Sequence, residues 1–86
     1  MKVRIPSPLR SYTGQAAVVE ADGSTLGDVL LDLDRRYPGI RFRIVDEQGG
    51  LRTHVRVFVG IERERDLSTP LGADDEVVIM QALSGG

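Results

Sequence analysis

The sequence contains no cysteine, only one histidine and one lysine, and no apolar run longer than a few residues. The missing cysteines exclude a disulfide framework, a thiolate metal site and a side-chain thiol nucleophile. Short apolar runs exclude a membrane-spanning helix, and the N-terminus lacks the apolar stretch of a secretion signal. A cytoplasmic location without membrane contact is therefore expected. Neither sign of charge dominates, since 11 basic residues face 13 acidic ones for a net charge of −2. That balance gives no electrostatic reason to expect nucleic acid.

Catalytic constellations are equally scarce. A serine, threonine or lysine nucleophile would need a base beside it, and His54 stands alone at the start of an expected strand. It reads as an ordinary strand-end residue. No cysteine or histidine spacing suits a metal, no glycine loop suits a phosphate, and the carboxylates alternate with arginines as solvated ion pairs would. No catalytic residue and no bound cofactor or metal are expected, so the chain reads as something other than an enzyme.

What is present is the composition of one small globular domain: 86 residues, 41% hydrophobic and 28% charged. At this size folding hides about 60% of the surface that the unfolded chain exposes. Val3 and Ile5 alternate with Lys2 and Arg4 as in a half-buried strand, which Pro6 and Pro8 stop. Ser11-Tyr12-Thr13-Gly14 is turn chemistry, and Gln15 to Glu20 follows as a second strand in a hairpin with the first. A helix is expected from Thr25, whose hydroxyl precedes Asp28 by three residues in the manner of a capping box. Leu26, Val29, Leu30, Leu33 and Tyr37 form its apolar stripe, leaving Asp28, Asp32, Arg35 and Arg36 for solvent, with the acids and bases placed as the helix dipole favours. Pro38-Gly39 ends it. Ile40 to Val45 fits either a strand or a short helical turn, and the turn is preferred.

Beyond the polar loop Asp46 to Gly50, the segment His54 to Gly60 carries Val55, Val57 and Val59 at period two, with Arg56 and Phe58 opposite. Gly60-Ile61 predicts a tight turn into a charged edge strand, Glu62 to Arg65. Leu67 and Leu71 anchor a loop around Pro70. Glu76 to Ala82 is apolar on both faces, as a central strand would be. A hairpin, one main helix and further strands, with the last strand beside the first, give an α+β fold of the ubiquitin-like β-grasp kind: a mixed sheet of four to five strands packed on one helix.

The domain is expected over residues 1–82, and 83–86 as a flexible C-terminal tail. Leu83-Ser84-Gly85-Gly86 offers no side chain beyond Leu83 to hold it down, and extended it would reach about 13 Å at about 3.3 Å per residue. Such a tail could enter a narrow active site on another protein. Its carboxylate, with a reference pKa of about 3.5, is a poor electrophile until activated.

In order, Val3-Arg4-Ile5-Pro6-Ser7-Pro8-Leu9-Arg10, Thr25-Leu26-Gly27-Asp28-Val29-Leu30, Tyr37-Pro38-Gly39-Ile40, Val55-Arg56-Val57-Phe58-Val59, Thr69-Pro70-Leu71 and the run from Asp75 through Val77-Val78-Ile79 to Gly85-Gly86 resemble the MoaD/ThiS family of ubiquitin-like sulfur carriers. The opening segment and the tail look most like the CysO-type branch, whereas Gly60-Ile61 departs from the family's usual Asn-Gly hairpin. The resemblance implies that a MoeB/ThiF-type enzyme with Mg-ATP adenylates Gly86 and that a sulfur donor converts it to a thiocarboxylate. Leu83, Ser84 and Gly85 would thread into the partner. A client synthase of cysteine, thio-metabolite, thiamine or molybdopterin type would then take the sulfur, and a C-terminal-processing metalloprotease is a further implied partner. Phe58 and Met80 are candidates for a docking patch on the sheet, although both residue types also suit the core. A protein modifier conjugated through Gly86, a molybdopterin synthase small subunit, and a binding module with an incidental tail are the rival readings.

Overall fold

The computed structural model describes residues 1–82. Its strands are β1 (Lys2–Arg4), β2 (Val18–Glu20), β3 (Val55–Val59), β4 (Glu62–Glu64) and β5 (Val77–Gln81), and its helices are α1 (Leu26–Arg36) and α2 (Ile40–Ile44). The strands form one sheet in the order β2-β1-β5-β3-β4. β5 runs parallel to β1 and antiparallel to β3, which places the last strand at the centre. This is the ubiquitin-like β-grasp arrangement expected from the sequence.

Strand periodicity decides what the sheet buries. Val3, Val57, Val77 and Ile79 point to one face and join Leu26, Val29, Leu30 and Leu33 of α1 in the core, each 2% exposed or less. Burying a side chain of this size contributes about 1.5–3 kcal/mol, so this inner face holds the domain together. Tyr37 packs against the same cluster from its edge.

The start of α1 is held twice. Thr25 Oγ1 accepts a hydrogen bond from the Asp28 amide at 3.1 Å, as the capping pattern predicts. The reciprocal half of the box is absent: the Asp28 carboxylate accepts from Ser24 Oγ at 3.2 Å, because an aspartate is one methylene shorter than the usual glutamate. The loop after β4 supplies the remaining acceptors. Leu26 and Gly27 amides donate to the carbonyls of Thr69 and Leu67 at 2.9 and 2.7 Å. Gly23 allows the preceding loop to lie flat on the helix, since a β-carbon there would stand 2.6 Å from the Val29 nitrogen.

Two sequence expectations need correction. Ser7–Thr13 is a 3-10 stretch, longer than the turn expected at Ser11–Gly14, with Pro8 in its first turn and Gly14 closing it at φ 64°. The second strand begins at Val18, not Gln15, because Gln15 itself adopts φ 72° and cannot continue a pleat. The ambiguous segment resolves as α2, with Ile40 and Ile44 buried. Asp34, on the last turn of α1, accepts from the amides of Gly39 and Arg41 at 3.1 and 3.0 Å, which fixes the angle between the two helices. Gly60 and Ile61 form the tight turn between β3 and β4, with positive φ at Gly60.

Candidate functional site

β5 delivers the chain to the centre of the sheet's end. Gln81 pairs with Val55, and the Ala82 amide donates to the His54 carbonyl at 2.8 Å. His54 thus serves the exit of the chain through its backbone. Leu83, Ser84, Gly85 and Gly86, the residues expected to carry the chemistry, lie outside the described residues.

Beside this exit lies a groove of about 740 Å³ lined by Tyr12, Phe42, Arg43, Arg52, His54 and Gln81, among others. Its arginines are held in place. Arg43 Nε donates to the Tyr12 hydroxyl at 2.9 Å. Arg52 Nε donates to the Phe42 carbonyl at 2.7 Å, and its guanidinium sits 4.7 Å from the centroid of the Phe42 ring. Sequence reasoning missed this groove. Its walls come from the 3-10 stretch, α2 and the start of β3, and no short-range pattern connects them.

The face of the sheet turned away from α1 has a different character. By strand alternation it carries Lys2 and Arg4 of β1, Val18 and Glu20 of β2, Val78 and Met80 of β5, Arg56 and Phe58 of β3, and Arg63 of β4. Phe58 lies opposite Val78, and Arg56 lies opposite Met80. Met80 is 51% exposed and Phe58 is half-buried, so neither belongs to the core. Both candidate docking residues therefore stand together on the open face, one register step apart.

Charges on the molecule are sorted by region. On α1, Arg35 and Arg36 both bind Asp32, and Arg36 also reaches Asp22 at 3.1 Å. Hydrogen bonds from Arg35, and then from the Asp22 amide, hold the Asp32 carboxyl down from the ordinary 3.8 to about 2. Arg4 pairs with Glu76 at 2.6 Å. Arg56, Arg63 and Arg65, like Arg10, Arg41, Arg43 and Arg52, have no carboxylate within ion-pair distance among the described residues.

No group of three or more histidine, cysteine or acidic side chains among the described residues could hold a metal ion. No helix among them is long and apolar enough to cross a membrane.

Comparison with known proteins gives this geometry its context. The ThiS family model matches residues 3–86. The sulfur carrier protein CysO of Mycobacterium tuberculosis (strain ATCC 25618 / H37Rv) is 39% identical, with 98% of this chain and 96% of that protein covered. The crystal structure of Mycobacterium tuberculosis CysO superimposes with a TM-score of 0.90 at 37% identity, covering 95% of this chain and 98% of that one. CysO in the Amycolatopsis orientalis BexX/CysO complex also gives a TM-score of 0.90, at 33% identity over 99% of this chain and 98% of that one. SAMP1 from Haloferax volcanii gives 0.79 at 28% identity, over 100% of this chain and 98% of that one. With residues 3–86 matched by one family, the chain belongs to the ThiS family and is a homologue of the sulfur carrier protein CysO.

Proposed function

We propose that this chain carries sulfur as a thiocarboxylate on Gly86, loaded and unloaded by partner enzymes. The observation that carries the reading is that the family match runs through Gly86 itself. A carboxylate is a weak electrophile, so it must first be activated. One of its oxygens attacks the α-phosphorus of ATP in the active site of a MoeB/ThiF-type enzyme that uses magnesium, and pyrophosphate leaves. Sulfur from a donor then adds to the acyl carbon of Gly86, and AMP departs with the former carboxylate oxygen. The resulting thiocarboxylate holds most of its charge on sulfur and is a soft nucleophile.

In the client synthase this sulfur attacks an electrophilic carbon of the acceptor, and the new carbon–sulfur bond forms as a leaving group departs with its electron pair or as a double bond opens and takes up a proton. Water then cleaves the bond between sulfur and the Gly86 carbonyl carbon, which restores the carboxylate. A metalloprotease acting at the C-terminus is an alternative way to release the product. The acceptor belongs to cysteine, thio-metabolite, thiamine or molybdopterin synthesis, and the client enzyme makes that choice. Leu83, Ser84 and Gly85 serve as the segment that enters each partner, because glycine at and next to the terminus leaves the carbonyl carbon open to attack.

This division of labour gives the domain the role of a handle. Phe58 and Met80, on the open face of the sheet, form the apolar centre of the docking surface. The likeness to SAMP1, described as a small archaeal modifier protein, favours one second reading, in which the activated Gly86 is joined to lysines of other proteins. That reaction would leave isopeptide-linked adducts in extracts.

The test is ATP-pyrophosphate exchange by a MoeB/ThiF-type enzyme from the same genome. Exchange should depend on this chain and vanish on deletion of Gly86. Exchange that persists without Gly86 would overturn the proposal.

A further inference from the structure

The charged edge strand holds an arrangement that its sequence conceals. Glu62-Arg63-Glu64-Arg65 reads as a self-neutralising run, but side chains in a strand alternate between faces. Glu64 lies opposite buried Val57 and its carboxylate accepts from Thr69 Oγ1 at 3.1 Å, so it is turned to the inner side. Arg63 lies opposite Phe58 on the open face. Continuing the register brings Arg65 beside Arg56. The acids leave by one side of the strand and the arginines gather on the other.

Among the described residues no carboxylate pairs with any of the three arginines. Like charges opposite one another in a sheet are destabilising. Partial desolvation, and then the nearby Arg65 and Arg56, push Arg63 below the ordinary arginine range. Arg56 is held in position by donating to the Thr53 carbonyl at 2.7 Å. Acidic residues also collect at the far edge of the domain, where Glu20, Asp74, Asp75 and Glu76 line a depression together with Lys2.

The arginines adjoin both the apolar patch and the chain's exit. Arg56 pairs across with Met80, two residues before Ala82, and Arg63 pairs across with Phe58. A protein that grips the chain where it leaves Ala82 would lie close to this corner. We infer that Arg56, Arg63 and Arg65 are the electrostatic half of the docking surface, and that the adenylating partner meets them with a patch of carboxylates around an apolar centre. This rests on the carrier reading and specifies the chemistry of its first partner. Apolar continuity through Phe58, Val78 and Met80 favours a protein over a nucleic acid, whose phosphates would not use the patch.

The experiment measures binding of this chain to a MoeB/ThiF-type adenylating enzyme from the same genome by biolayer interferometry from low to high NaCl. The proposal expects Arg56→Gln/Arg63→Gln/Arg65→Gln to lose about tenfold or more in affinity at low salt, with a much flatter salt dependence. The corresponding Arg→Lys triple variant should keep the salt dependence. Arg35→Gln/Arg36→Gln, on α1, should bind as the wild type does. Deletion of Gly86 should leave the salt-dependent encounter in place, so that loss of pyrophosphate exchange and loss of docking are separate results. Wild-type affinity and salt response in the glutamine triple variant would overturn the inference, as would absence of wild-type binding. It would equally be overturned if the triple variant instead lost binding to a single-stranded oligonucleotide, or lost a concentration-dependent dimer of this chain.

Discussion

Both faces of the sheet carry apolar side chains, and these have opposite fates. On the inner face Val3, Val57, Val77 and Ile79 are matched by the leucines and valine of α1, and almost no surface remains. On the open face Phe58, Val78 and Met80 have arginines for neighbours and solvent above them. The arginines differ as well: those on α1 are bound to Asp32 and Asp22, and on the open face Arg4 pairs with Glu76, while Arg56, Arg63 and Arg65 have no carboxylate partner among the described residues. One half of the molecule is complete in itself. The other half makes physical sense as a surface to be covered.

The sharpest way to break this contrast is to shorten one side chain on each face. Leu30→Ala on the inner side should cost about 2–5 kcal/mol in urea unfolding, the usual loss for a fully buried leucine. Met80→Ala on the open face should change stability by no more than about 0.5 kcal/mol while weakening binding to the adenylating partner. Comparable losses of stability would mean that the two faces are equivalent.

A smaller effect is expected where backbone approaches backbone. Gly23→Ala must push the loop away from the Val29 nitrogen, and about 1–3 kcal/mol is the expected cost of such overpacking. Thr25→Ala should cost about 1 kcal/mol through loss of the cap. Both are read from the midpoint of chemical denaturation.

The mildest effect concerns the paired arginines of α1. The Asp32 pKa is depressed in the folded protein, from 3.8 to about 2. Its contribution to stability is therefore fully present above about pH 4 and is lost as the pH falls towards 2. Asp32→Asn should flatten the stability profile in that acid window, measured as unfolding midpoint against pH, and should leave docking unchanged. A profile unaffected by the substitution would mean that the α1 ion pairs are no more engaged than the open-face arginines.

Much of this architecture was legible in the sequence because its signals are local. The valines of β3 repeat at period two, and the stripe of α1 and its Thr25 cap follow from spacing within a single element. β5 could be placed at the centre because both its faces are apolar, although one of those faces proved to be exposed. What could not be read depends on residues brought together from afar or on an uncommon backbone. Gln15 is an ordinary polar residue whose φ of 72° shortens β2. Asp34 caps a second helix across a turn, and the groove at the chain exit joins three elements. The arginine cluster was hidden for a subtler reason: Glu62-Arg63-Glu64-Arg65 looks neutral along the chain and becomes charged on one face only when the pleat separates its two signs. The role of Gly86 is proposed from its position and the family resemblance, and the residue lies outside those described.

The central claim is that Gly86 is loaded with sulfur by other proteins. Intact-mass spectrometry tests it directly, after incubation of this chain with a MoeB/ThiF-type enzyme, Mg-ATP and sulfide. The account predicts a mass increase corresponding to one oxygen replaced by one sulfur, confined by fragmentation to the C-terminal glycine and absent without ATP. An unchanged mass under conditions in which the same enzyme loads its known carrier, or a sulfur located elsewhere in the chain, would contradict it.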